Sequence, residues 1–157
     1  TPQQYGIILS LNAILVVILQ FSFTRQVKKF QPLHMMALGN LFYALGFAMY
    51  GFVSSYGLFL AAMVVITIGE MVIAPIIQTL VVFIAPRDMR GRYMAAFQLG
   101  RGVAAAVGPV AAGVILDGNH PQWIWYTGGI ICILVATGYL YLKNKAGEKF
   151  LTPAVST

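Results

Sequence analysis

The chain divides into five apolar stretches, each long enough to cross a bilayer, joined by short polar connections. A hydrocarbon core about 30 Å thick needs about 20 helical residues. No water reaches the backbone inside that core, so a spanning segment must satisfy its own N–H and C=O groups, as a helix does. The stretches run from Tyr5 to Phe23, Leu33 to Phe52, Tyr56 to Ala85, Tyr93 to Leu116 and Trp123 to Leu142. They predict an all-α, polytopic transmembrane helical bundle of five spans. The third is long, and Pro75 within it predicts a kink. Composition agrees: 59% of the 157 residues are hydrophobic and 9% are charged, against about 25% charged in an ordinary soluble domain. A mean hydropathy of +0.81 points the same way.

The net charge of +6 would suggest nucleic acid in a soluble protein. Here its placement is a topology signal, and no nucleic-acid partner is expected. Arg25, Lys28 and Lys29 follow the first span. Arg87, Arg90 and Arg92 follow the third, and Lys143, Lys145 and Lys149 follow the fifth. The loops after the second and fourth spans carry no basic residue. The positive-inside rule therefore places the three basic loops and the C-terminus in the cytoplasm. Tyr5, Tyr50, Tyr56, Trp123, Trp125 and Tyr126 mark the outer boundary, and Tyr93, Tyr139 and Tyr141 the inner one. Amphipathic rings anchor helices at headgroup level in this way. Residues 1–150 form the transmembrane bundle, and residues 151–157, with Pro153, read as a disordered cytoplasmic tail. The chain begins at Thr1 without a signal-peptide pattern, and residues upstream of it are expected.

Metal or cofactor chemistry finds no foothold. Cys132 is alone, and His34 and His120 are isolated, which suits structural or interfacial roles. A membrane enzyme would cluster His, Asp, Glu or Cys near one interface, and the sequence has no such cluster.

Two ionisable residues sit where they are expensive. Glu70 lies near the middle of the third span, and Arg101 lies inside the fourth. A charge in hydrocarbon costs several kcal/mol, so such groups face protein or water. The depths of the two differ by roughly 5 Å, which an arginine side chain spans if the two faces meet. Glu70 reads either as a proton carrier, or counter-charge for a cationic substrate, or as a structural carboxyl. Thr67 and Gln78 fall within about 80° of it around the helix, making a narrow polar stripe. Pro75 cannot donate to the Met71 carbonyl, so that acceptor needs protein or a watery cavity beside it. The bland alternative for the stripe is interhelical hydrogen bonding, which also accounts for Asn12, Gln20 and Asn40. Asn12 and Gln98 complete the candidate coupling and binding set with Glu70, Arg101, Thr67 and Gln78. In the fourth span Ala105, Gly108 and Ala112 share a face with Arg101, which reads as a tight packing seam. Pro75, Gly108, Pro109 and Gly113 are the candidate bending and gating positions.

With these features in view, the sequence resembles the major facilitator superfamily, in its drug:proton antiporter form. Thr1 to Gly6 leading into Leu9-Ser10-Leu11-Asn12 resembles the start of the family's eighth helix, and Gly69-Glu70 with Pro75 and Gln78 its tenth. Ala85-Pro86 and then Arg90 to Met94 resembles the loop into the eleventh, and Gly108-Pro109 with Gly113 the eleventh itself. The basic loop Thr24 to Lys29 lacks the glycine and aspartate that the family often places there. The resemblance implies helices eight to twelve of a twelve-helix fold, with the N-terminal half of the same transporter as partner. It implies that the third span lines the central cavity and that the fourth faces the other half.

The resulting expectation is a secondary transporter in the cell membrane. It moves a small, lipophilic molecule by alternating access, with proton-coupled efflux. The antiport direction rests on the resemblance alone. Two other readings stand beside it: uptake of a polar metabolite, and a non-transporting helical module such as a channel subunit or assembly partner. A channel would repeat polar rings along a pore helix, and here there is one short stripe.

Overall fold

The computed structural model describes residues 2–118 and 120–145. These form five helices: α1 (Pro2–Val27), α2 (Pro32–Phe52), α3 (Tyr56–Ile84), α4 (Arg90–Leu116) and α5 (Trp123–Lys145). All five are long and apolar enough to cross a membrane. The expected tail at 151–157, together with Glu148 and Lys149, lies outside the described residues.

The helices overrun the apolar stretches where charged residues continue the last turn. α1 carries Arg25 in its last turn, and α5 carries Lys143 and Lys145. Cations are favourable beside the unpaired carbonyls of a helix C-terminus. α3 stops at Ile84 rather than Ala85, because Pro86 follows and disfavours helical backbone in the residue before it. Ala85 is accordingly extended, at φ −71 and ψ 132. Gln31 is held extended in the same way by Pro32, at φ −62 and ψ 125. Proline at the first helical position lacks only an N–H that would have no partner there. α3 runs as one helix through Pro75.

Side-chain pairings set the directions of packing. Tyr56 at the start of α3 donates to the Gln4 carbonyl near the start of α1, and Gln20 of α1 donates to the Met71 carbonyl further along α3. These two helices therefore run parallel. α2 and α5 run antiparallel, with Tyr126 donating to the Gly51 carbonyl at one end and Lys143 meeting His34 at the other. The C-terminal ends of α1, α3 and α5 thus share one side, and the basic residues share it with them.

α2 is the central helix, packed against α3 on one side and α5 on another, while α1 lies on α3. The core is drawn mainly from α2 and α3, including Leu33, Met36, Ala37, Ala44, Ala62, Met71, Val72 and Ile76, with Ala136 from α5. Val27, Met36, Val72 and Ile76 form one cluster, and Tyr139 packs against it. α4 has no buried residue and presents Leu99, Val103, Val107, Val110 and Val114 outward. Such faces are unremarkable in lipid, which is as apolar as they are.

A cluster of aromatic rings forms on the opposite side from the lysines. Tyr50 meets Phe59 and Trp125 in tilted ring contacts, with centroids 5.5 Å and 4.8 Å apart. These contacts tie the ends of α2, α3 and α5 together, so the boundary aromatics also serve as packing.

Candidate functional site

The polar stripe on α3 meets a single polar residue of α1. Asn12 donates through Nδ2 to Glu70 Oε2 at 2.9 Å and to Thr67 Oγ1 at 2.9 Å. Thr67 donates in turn to the Met63 carbonyl one turn back, at 2.8 Å. Its hydroxyl proton is therefore committed to its own helix, and its oxygen is left to accept from Asn12. Thr67 is fully buried, while Asn12 and Glu70 are half-buried. The carboxylate is thus tied to a neighbouring helix by one neutral amide. Among the described residues it has no cationic partner.

The carbonyl that Pro75 leaves without its helical donor has found a different one. Gln20 Nε2 donates to Met71 O at 3.3 Å and also to Thr24 Oγ1 at 3.0 Å. Protein rather than cavity water satisfies that acceptor, so Gln20 is interhelical glue. Asn40 is buried and donates within its own helix to Met36 O at 2.8 Å. Thr79 similarly donates to Pro75 O at 2.8 Å.

The other sequence candidates do not join this cluster. Gln78 is exposed. It lies two turns beyond Glu70 and on the far side of it from Thr67, so Asn12 cannot reach both. Gln98 and Arg101 are exposed on α4, and neither has a hydrogen-bond or ion-pair partner among the described residues. The depth match between Arg101 and Glu70 does not become a pair, because α4 touches α3 only lightly and buries no residue. Gly108 and Pro109 are exposed on the same helix, and Gly113 is half-buried. A Cβ placed at Gly100, Gly102, Gly108 or Gly113 would meet nothing within 4 Å. The small-residue seam of α4 faces open space among the described residues.

The close helix approach lies elsewhere, between α2 and α3. A Cβ at Gly69 would stand 2.8 Å from the Gly39 carbonyl oxygen, 3.1 Å from Phe42 Cβ and 3.3 Å from the Tyr43 backbone nitrogen. A Cβ at Gly46 would clash with Ile66 and stand 3.2 Å from the Ala62 carbonyl. Gly39 and Gly46 are seven residues apart on α2, as Ala62 and Gly69 are on α3, so each pair lies on one stripe two turns long. Small residues in register let the two backbones meet. Glu70 follows directly on this contact, which holds its backbone in place while α1 supplies its side-chain partner. The seven-residue spacing of small residues on two consecutive spans is the sequence signal for this seam, and it is sparser than the fourth span's run of glycines and alanines.

Among the described residues no group of three or more His, Cys, Asp or Glu is arranged to hold a metal ion. The arrangement offers instead one intramembrane carboxylate, one hydroxyl and one amide, shared between two parallel helices.

Comparison with known proteins places this chain in a family. The profile of the Major Facilitator Superfamily matches residues 1–156. Among curated relatives, the uncharacterized MFS-type transporter YdeE of Escherichia coli (strain K12) is 31% identical over 153 residues, covering 96% of this chain and 38% of the relative. The uncharacterized MFS-type transporter YttB of Bacillus subtilis (strain 168) is 30% identical over 148 residues, covering 92% of this chain and 37% of the relative. A Na(+), Li(+), K(+)/H(+) antiporter of Planococcus maritimus is 27% identical over 143 residues, covering 88% of this chain and 32% of the relative. No solved structure matches the chain. The chain spans about a third of the length of the curated relatives it matches. It is a multi-pass, all-helical membrane chain, and it belongs to the Major Facilitator Superfamily of transporters.

Proposed function

We propose that the chain supplies five helices to a secondary active transporter that exports a small molecule in exchange for protons, with Glu70 as the proton-carrying group. The observation that carries this reading is the Glu70 carboxylate at mid-span, bound by the amide of Asn12 and by no cation among the described residues. An intramembrane carboxylate without a fixed counter-charge is stable there as an acid or with a cation beside it. The two states exclude one another, and mutual exclusion is what exchange requires. Protonation also removes the negative charge that strengthens the bond from Asn12. The tie between α1 and α3 then weakens, which couples the chemistry to helix packing. Alternating access supplies the rest: the half containing these helices rocks against the other half and presents Glu70 to each side in turn. In this reading Gln78, Gln98 and Arg101, which are exposed on α3 and α4, act toward that other half. The proposed location is the cell membrane, and the positive-inside rule supports an orientation with the basic loops and C-terminus in the cytoplasm.

The substrate proposed first is lipophilic and cationic, because few polar residues accompany Glu70 on these helices. A second reading is exchange of a monovalent metal cation for protons. The Planococcus relative, which is described as a Na(+), Li(+), K(+)/H(+) antiporter, favours it. So do the carboxylate of Glu70 and the hydroxyl oxygen of Thr67, which converge on the Asn12 amide, since hard cations prefer oxygen ligands.

The test uses the full-length protein in proteoliposomes with an imposed pH gradient. Movement of a fluorescent lipophilic cation and cation-induced proton release on adding Na⁺ or K⁺ are recorded in parallel for wild type and Glu70→Gln. The expected result is gradient-driven exchange of one substrate class by wild type, with substrate binding but no coupling in the variant. Equal exchange by both proteins would refute the assignment of Glu70. Which of the two signals appears decides between the substrate classes.

A further inference from the structure

At the basic ends of α2 and α5, apart from the Glu70 cluster, lies a combination of polar and apolar groups. Lys143 Nζ is 2.7 Å from His34 Nε2. An ammonium has only donors, so Nε2 must accept, and the neutral ring carries its proton on Nδ1. The pair therefore holds one positive charge and keeps further donors, the remaining ammonium N–H bonds and Nδ1–H. Beside it, the side-chain oxygen of Gln31 is buried without a partner among the described residues. Turning that amide over would present two more donors at the same place.

An apolar groove of about 540 Å³ opens beside His34 and Gln31 and runs along Met35, Leu38, Leu41 and Leu140. A second groove of about 480 Å³ shares Phe30, Met35 and Leu38 with the first and continues toward Phe42 and Val72 on the other side. Two apolar grooves thus adjoin at Phe30, Met35 and Leu38, and the first of them is bordered by His34. Lys28 and Lys29 flank this end from the α1–α2 turn, and Lys145 follows in α5. The described residues of α1, α2, α5 and the α1–α2 turn contain no Asp or Glu. The surface is complementary to an anion at headgroup depth and to hydrocarbon below it.

We infer that the paired ends of α2 and α5 form a binding site for an anionic phospholipid of the leaflet that faces the basic loops. Its phosphate is held by Lys143 and His34, and its two acyl chains lie in the two grooves. Basic pockets between membrane helices recognise lipid headgroups by this combination of charge and depth. The site is separate from the Glu70 cluster, and its occupancy does not depend on the direction or substrate of transport.

The test is native mass spectrometry of the full-length protein, extracted from an equimolar mixture of phosphatidylglycerol and phosphatidylcholine. Wild type is expected to retain phosphatidylglycerol preferentially, and Lys143→Gln and His34→Gln each to reduce that preference, by about tenfold for loss of one charge-assisted contact. Lys143→Arg keeps the charge and is expected to keep the preference, which separates lipid binding from a folding defect. Arg87→Gln removes a charge from a different basic loop and is expected to leave the preference intact. Equal effects of Lys143→Gln and Arg87→Gln would overturn the site in favour of diffuse attraction. In a second arm, a bimane label on Leu41→Cys, with the other cysteines replaced, is exposed to brominated lipids. Stronger quenching by brominated phosphatidylglycerol than by brominated phosphatidylcholine supports the inference. No quenching by either means that other helices of the protein cover the groove, and the inference fails.

Discussion

Substituting Gly69 by alanine tests the packing on which the site stands. The added Cβ would sit 2.8 Å from the Gly39 carbonyl oxygen and 3.1 Å from Phe42 Cβ. Ordinary carbon contacts lie near 3.5–4.0 Å, so the two backbones must separate by well over half an ångström. The atoms in the way belong mainly to the backbone of α2, and backbone cannot rotate aside as a side-chain end does. Overpacking of this kind costs about 1–3 kcal/mol. Alanine recovers at most about 1 kcal/mol through better helix propensity, and less where the helix persists in the membrane. The expected net effect is a loss of about 1–2 kcal/mol. Gly57→Ala, where nothing lies within 4 Å, should be neutral or slightly stabilising. SDS-induced unfolding of the full-length protein in mixed micelles measures both. On the proposed role of Glu70, Gly69→Ala should also reduce proton coupling, because Glu70 is the next residue and its carboxylate shifts relative to Asn12. Equal stability of the two alanine variants would refute the close approach of α2 and α3, and with it this account of how Glu70 is positioned.

Two further predictions concern the bonds between α1 and α3. Asn12→Ala removes both contacts to α3 and should weaken their association by about 1.5–3 kcal/mol if the acceptor is charged, or about 0.6 kcal/mol if Glu70 is protonated in the membrane. Unfolding measured in micelles at high and low pH separates the two cases, and a pH-independent loss argues against a titrating Glu70. Gln20→Leu should destabilise by about 0.6 kcal/mol, and Pro75→Ala should erase that effect by restoring a backbone donor to the Met71 carbonyl. A double-mutant cycle measures this, and additive losses would show that Gln20 does not serve the carbonyl freed by Pro75.

The primary sequence was enough for the five helices, their order and their membrane character. Hydrocarbon permits no other backbone solution at that length, and proline and charge mark the helix ends locally. Glu70, Thr67 and Asn12 were also legible as costly or polar residues within apolar spans. Their meeting was not, because helical spacing relates residues along one helix and says nothing of which neighbour it packs against or how far it is rotated. That limit separates Asn12, which reaches Glu70, from Arg101, which has the right depth but sits on a helix that barely touches α3. It also hid the backbone contact at Gly39 and Gly69, where the decisive quantity is a distance between two chain segments. Composition and periodicity thus determine what each span must be. The tertiary structure decides which residues share a partner, because in lipid, where hydrophobicity no longer drives helices together, close packing and interhelical hydrogen bonds choose the neighbours.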